Sequence, residues 1–305
     1  MDVRITNKNG ESFTLEEYGI TVKDFIVSSI EILTDYGTVD GRHGTVDRGS
    51  IYGSRTITVP FIMHSRDLHD FPLKRDKIFD LVLSTRSFYI QEMRRANYLS
   101  YDFVQPGEGA KQSEGTKNKL IGGKRYLVRL QNVFEIEQMI LDGQGEFIFE
   151  TTDLPYAESI GTTKTIDQDG LSTIQELWGF GMGLEYANET HKYTHSDSKF
   201  EIFNASNVIV HPFFQYLRIE ITDFEEVEGA FRLVNVTNNS EFAFLGGLRR
   251  SDEIVIDGAR VRYNNSEAFR RTRRTYIQLS PGVNKFEIEG AKQAKVSFDF
   301  RFYYK

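Results

Sequence analysis

The closing stretch of the chain constrains its fold more than any other. Val296, Phe298, Phe300 and Phe302 alternate with Ser297, Asp299 and Arg301. An apolar period of two means a strand with one buried face, whereas a helix would scatter these rings around its axis. The second half repeats that message. Strand patterns occur at Phe200–Phe203, Val208–Val210, Leu217–Thr222, Ala230–Asn235, Glu241–Phe244, Glu253–Ile256, Ala259–Tyr263, Tyr276–Leu279, Asn284–Glu289 and Val296–Tyr304. Turn signals lie between them, Asp257-Gly258 and Ser280-Pro281-Gly282 among them. Short strands at this spacing predict a β-sandwich, here of jelly-roll type.

The first half is also mainly β. Val3 and Ile5 before Asn9-Gly10, with Phe13 and Leu15 after it, predict a hairpin. Ile26–Leu33 reads as one strand. Gly37, Gly41, Gly44, Gly49 and Gly53 then space out an extended arm, which hands over to a strand with Arg55, Ile57 and Val59 on one side. Asp70 and Pro72 predict a helix start, Ile78, Leu81 and Val82 form its apolar stripe, and it ends near Ser84–Thr85. Further strands are expected at Ser87–Gln91, Tyr98–Val104, Lys124–Gln131, Phe134–Ile140 and Glu146–Thr151, with a turn at Asp142–Gly145 and a mobile loop over Pro106–Gly123. Between Asp153 and Glu185 the pattern fails, except for a capping box at Ser172–Gln175 ended by Gly179. The expected division is therefore a domain over residues 1–155 with its helix near 70–84, a junction over 156–185, and a second sandwich over 186–305.

Composition supports a folded β-protein. The 305 residues include 24 Phe and 15 Tyr against a single Trp, and aromatics fit the pleated surface of strands. The net charge of −7 is shared by both halves, which argues against a nucleic-acid domain. With no cysteine, disulfides, thiolate zinc sites and cysteine nucleophiles are excluded. The N-terminus lacks the apolar core of a signal peptide, and no run is long enough to span a membrane.

Motifs that carry chemistry are weak. Gly179, Gly181 and Gly183 lack the spacing and the strand-to-helix setting of a dinucleotide loop. Gly122-Gly123-Lys124 fails as a phosphate loop, because Asn118 stands at the first glycine and Arg125 at the Ser/Thr position. His191 and His195, with Asp197 nearby, would lie about 13 Å apart on a strand, too far to share a metal ion. His64 and His69 flank the helix start without companions. Asp223, Glu225, Glu226 and Glu228 read as a solvated turn. Arg270, Arg271, Arg273 and Arg274 would point to both faces of a strand, as a solvated hairpin or a salt-bridging subunit contact. No catalytic residue, cofactor or metal site is expected, and the chain reads as no enzyme. Exposed tyrosines among Tyr186, Tyr193, Tyr216, Tyr263 and Tyr276 could form a sugar-binding platform, whereas Trp178 falls in the junction.

Three ordered segments resemble a known family. Gly41-Arg42-His43-Gly44-Thr45-Val46-Asp47, Gly49-Ser50-Ile51-Tyr52 and Arg55–Phe61 look like the opening signature of the distal tail proteins (Dit) of long-tailed, non-contractile phages infecting Gram-positive bacteria. His43 and Val46 depart from that pattern, where the family has Asp or Asn and Ile. Phe147–Thr151 with Asp153–Ala157 resembles the end of the family's N-terminal domain. Phe200–Asn204, His211-Pro212, Leu279–Asn284 and Phe298–Tyr304 resemble its second half.

The resemblance implies a homohexameric ring at the distal tip of the virion tail. Its N-terminal domain would form the ring and stack on the major tail tube protein. Its C-terminal domain, a galectin-like or carbohydrate-module-like sandwich, would point outward. There it would dock receptor-binding or fibre components, with a tail-associated lysin or tail-spike protein below. A closed ring needs two different complementary surfaces on each subunit. The candidate inter-subunit arm is Gly41, Arg42, Gly44, Asp47, Gly49, Tyr52 and Arg55. The competing expectations are a free-standing glycan-binding module and a glycoside-cleaving tail component.

Overall fold

A computed structural model describes residues 1–95, 120–171, 177, 178, 181–184, 191–225 and 227–305. The expectations for Tyr98–Val104, most of the loop before Gly123, the capping box at Ser172–Gln175, Gly179 and Tyr186 lie outside the described residues. The chain divides into two compact units, Met1–Ala157 and Glu158–Lys305. Both are mainly β and build the expected sandwich architecture from curled sheets.

The N-terminal unit contains β1 (Asp2–Thr6), β2 (Ser12–Thr14), β3 (Ile20–Val22), β4 (Ile26–Val27), β5 (Ile32–Gly37), β6 (Val46–Tyr52), β7 (Thr56–His64), α1 (Asp70–Val82), β8 (Phe88–Arg95), β9 (Leu120–Ile121), β10 (Lys124–Leu130), β11 (Glu137–Met139) and β12 (Asp142–Thr151). Its main sheet runs β2-β1-β8-β10-β12-β7-β3. The backbone of this sheet is β7, where Ile57, Val59, Phe61 and Met63 alternate into the core as their period of two requires. Phe71, Ile78 and Val82 of α1 pack on that core, where Phe61 stacks on Phe147 with ring centroids 4.2 Å apart.

Several local expectations need correction. The N-cap of α1 is His69, and just before it Asp67 Oδ1 accepts the N–H groups of His69 and Asp70, both at 2.8 Å. Asp70 instead accepts the Arg66 N–H. Ile26–Leu33 is two strands. After Val27 the Ser28 hydroxyl accepts the Thr56 N–H at 2.9 Å, and the chain leaves β7 to pair β5 with β6. Asp142–Gly145 is strand, not turn; the reversal lies at Ile140-Leu141. Gly143 and Gly145 serve packing, since a Cβ on Gly143 would lie 2.6 Å from Ile136 Cγ2 and one on Gly145 2.8 Å from Phe61 Cζ.

The C-terminal unit adds β13 (Ala157–Ser159, whose first residue closes the preceding unit), α2 (Thr163–Asp169), β14 (Thr194–His195), β15 (Lys199–Asn204), β16 (Leu217–Thr222), β17 (Phe231–Asn235), β18 (Ser240–Phe244), β19 (Ile254–Asp257), β20 (Arg260–Tyr263), β21 (Ser266–Glu267), β22 (Gly282–Glu289), β23 (Lys295–Phe300) and β24 (Tyr303–Tyr304). One sheet has the order β14-β23-β16-β19-β20-β21 and the other β15-β22-β17-β18. Val296, Phe298 and Phe300 of β23 are fully buried, as the alternation demands. The expected strands at Val208–Val210 and Tyr276–Leu279 shrink to one bridge, Val210 to Leu279. The helix α2 was not expected. It carries only two buried residues, Thr163 and Ile166, too few to leave a periodic stripe.

Candidate assembly surface

The glycine-spaced segment forms a two-stranded ribbon that pairs with no other described strand. Ile32 faces Tyr52, Leu33 faces Ile51 and Thr34 faces Ser50. The register then slips. Arg48 and Gly49 together stand opposite Asp35, after which Tyr36 faces Asp47. Gly49 makes this bulge possible with φ of 117°, and the Asp47 carboxylate accepts its N–H at 2.8 Å. At the tip, Gly41 and Gly44 adopt φ of 79° and 84°, and Arg42 donates its N–H to the Val39 carbonyl at 3.1 Å. Such conformations are cheap only for residues without a Cβ.

Both faces of the ribbon remain open. Ile32, Leu33, Tyr36 and Ile51 are 64%, 46%, 63% and 69% exposed. A lone two-stranded hairpin is marginal in water, and its outer edges offer rows of unpaired N–H and C=O groups. The ribbon therefore has both the apolar surface and the backbone donors of an interaction element.

The arm residues do not all belong to it. Gly41, Arg42, Gly44, Asp47 and Gly49 lie on the ribbon. Tyr52 ends it and meets the Tyr156 ring edge-on at 6.3 Å. Arg55 is buried at the ribbon's base. Its backbone N–H donates to Thr151 Oγ1 at 2.9 Å, and its guanidinium faces Tyr126. Burial pushes the Tyr126 phenol up, and Arg55 partly offsets this. Arg55 is an anchor of the ribbon, not part of its exposed surface.

The other candidates separate. His195 stacks on Phe200 at 4.8 Å and His191 tilts against Phe203 at 5.6 Å, so each ring has its own aromatic neighbour; Asp197 is exposed nearby. No group of three potential metal ligands gathers among the described residues. His64 lies 3.0 Å from both Asp142 Oδ1 and Thr21 Oγ1, while His69 precedes α1. A Cβ on Gly122 would strike the Glu92 carbonyl oxygen, so that glycine admits β8 rather than a phosphate. Lys124 and Arg125 fall in β10, whereas Asn118 and Gly179 lie outside the described residues and Gly181 and Gly183 form turns. Asp223 and Glu225 stand in an irregular segment after β16, with Glu228 in a bend beyond.

The arginine run is not a strand. Arg270 and Arg271 sit in a 3₁₀ turn, Arg271 lies 4.5 Å from the Phe244 and Tyr263 ring centres, and Arg273 approaches Glu241 at 3.9 Å. Among the tyrosines, Tyr193 is fully buried, Tyr216 donates to Asp299 at 2.6 Å and Tyr263 stacks on Phe244. Trp178 is buried against Phe302 and thus belongs to the core of the C-terminal unit. Sequence reading missed the buried amides Asn235 and Asn284, joined at 2.9 Å. Asn235 between Val234 and Val236 was their only trace.

Residues 8–150 match the family model described as phage tail protein RIFT-related domain. No curated protein matched. Among solved structures, the Dit protein of phage SPP1 superposes with a TM-score of 0.60 at 10% identity, covering 98% of this chain and 99% of that one. That protein is described as a paradigm of the hub adsorption apparatus in phages infecting Gram-positive bacteria. Two structures of the phage P2 baseplate in its activated conformation, with Ca and with Sr, align at 12% identity and a TM-score of 0.38. They cover 99% and 98% of this chain, and 97% of each of those chains. Residues 8–150 thus carry a phage tail protein RIFT-related domain, and the chain over its whole length has the fold of the SPP1 Dit protein.

Proposed function

We propose that this protein is a structural hub that assembles as a homohexameric ring at the distal tip of the virion tail, and that it catalyses no reaction. In this reading the N-terminal unit closes the ring and seats on the tail tube protein. The C-terminal unit stays peripheral and meets receptor-binding, fibre or tail-spike components. The observation that carries the proposal is the isolated ribbon β5–β6. Ile32, Leu33, Tyr36 and Ile51 stay exposed and its outer edges pair with no other described strand, and a neighbouring copy would cover both. One subunit's ribbon on a different surface of the next gives a heterologous contact, which closes into a ring when the rotation divides a full turn.

Light scattering and negative-stain imaging of the full chain test this. Rings of six subunits are expected, and deletion of Gly41–Gly49 should leave a folded protein that makes none. A monomer at every concentration, or rings of unchanged size after the deletion, would overturn the proposal.

A further inference from the structure

The C-terminal unit holds a surface groove that the assembly reading leaves unused. Its volume is about 350 Å³, near the lower end of small-ligand sites. Part of its lining is aromatic. Phe213, 52% exposed, meets Tyr276 edge-to-face with ring centroids 4.7 Å apart. The rest is polar and includes Asn239, Glu241, Arg274 and Gln278.

The polar lining is held in place from below. The Gln278 carbonyl accepts the side-chain amides of Asn235 at 2.8 Å and Asn238 at 3.0 Å, and the Gln278 N–H donates to Ser240 Oγ at 3.0 Å. Asn239 turns the β17–β18 hairpin with φ of 57°. These bonds fix the backbone and leave the side-chain amides of Asn239 and Gln278 without hydrogen-bond partners among the described residues. Charge is divided unevenly. Glu241 is engaged by Arg232 and lies 3.9 Å from Arg273. Arg274 has no carboxylate partner among the described residues; it lies over the Phe269 ring at 5.5 Å, on a residue held at φ of 62°. Such backbone strain in a non-glycine residue persists where the surroundings enforce it.

An aromatic pair, two free amides and one unpaired guanidinium match a particular ligand chemistry. A pyranose offers an apolar C–H face, hydroxyls that donate and accept, and in its acidic forms a carboxylate suited to the arginine fork. We infer that this groove binds an acidic pyranose, a sugar of the uronic-acid class. Its C–H face lies on Phe213 and Tyr276, its hydroxyls meet Asn239 and Gln278, and its carboxylate pairs with Arg274.

Saturation-transfer NMR on the full-length protein, with glucuronate and glucose as probes, tests the assignment independently of ring formation. Glucuronate should bind with a Kd of about 1 mM and glucose about tenfold more weakly. Arg274→Gln should abolish the difference and Tyr276→Ala should remove both signals. Asn239→Gly keeps the positive-φ turn while deleting the amide, and should weaken both sugars even if Tyr276→Ala fails to fold. Absence of glucuronate binding, equal affinity for the two sugars, or unchanged binding by Arg274→Gln and Asn239→Gly would overturn it.

Discussion

Thr163 and Phe298 are joined by a hydrogen bond spanning most of the C-terminal unit's sequence: the Thr163 hydroxyl donates to the Phe298 carbonyl at 2.8 Å. The same oxygen accepts the Phe300 N–H at 3.0 Å. One buried hydroxyl thus satisfies two backbone groups of β23. Thr163→Val keeps the shape and removes the oxygen, orphaning a buried donor and a buried acceptor. We expect a loss of about 2–6 kcal/mol, at roughly 1–3 kcal/mol for each orphaned group. Thr163→Ser should recover most of it. Urea unfolding of the two variants checks this.

Gly145 faces a different constraint. Its added Cβ would lie 2.8 Å from both the Glu135 carbonyl oxygen and Phe61 Cζ. The first is backbone and the second belongs to a buried ring, so neither yields easily. Gly145→Ala should destabilise by about 1–3 kcal/mol, as overpacking does. Gly229, with open space around its Cβ position, is the control; Gly229→Ala should be neutral or slightly stabilising. Thermal melts of both variants distinguish a packing cost from a general intolerance of alanine.

Asp252 links stability to acid. Burial alone would raise its pKa, but the Asn264 amide at 2.9 Å and the Arg249 N–H at 2.8 Å outweigh this. They hold the carboxyl below the ordinary aspartate value of 3.8. A pKa lowered in the folded state means that the unfolded chain takes up the proton first. The contribution is therefore complete above the ordinary aspartate range and is lost as pH falls through the lowered value. Asp252→Asn should flatten the acid limb of the stability curve and leave the slope above neutral pH unchanged, as read by unfolding at a series of pH values.

The sequence was most legible where one residue type had one physical reason to be there. The phenylalanines of β23 needed a half-buried strand, and the hairpin around Asn9-Gly10 formed with Arg4 facing Thr14. Glycine was ambiguous, because it marks both turns and close packing. Asp142–Gly145 therefore resembled a turn, although Gly143 and Gly145 make room for Ile136 and Phe61. The ribbon was legible as an extended arm from its glycine spacing, and Arg55, on the same strand face as Ile57 and Val59, is buried with them at its base. The sugar groove was barely visible. Tyr276 was available as a ring, but Phe213, Asn239 and Arg274 converge only through three separate loops.

Ile51 provides the sharpest test of the ribbon. It is 69% exposed and pairs only with Leu33 across the hairpin. An exposed position away from a packed core tolerates substitution within about 0.5 kcal/mol, so Ile51→Asp should barely shift the melting temperature. If the ribbon is the contact between copies, the same carboxylate becomes a buried, unpaired charge in every interface of the ring. Each contact should then weaken by roughly 2 kcal/mol or more. Assembly multiplies that penalty around the annulus, so sedimentation should show a folded monomer at concentrations where the proposed hexamer of the unmodified chain would form. A hexamer of undiminished stability would move the subunit contact away from β5–β6.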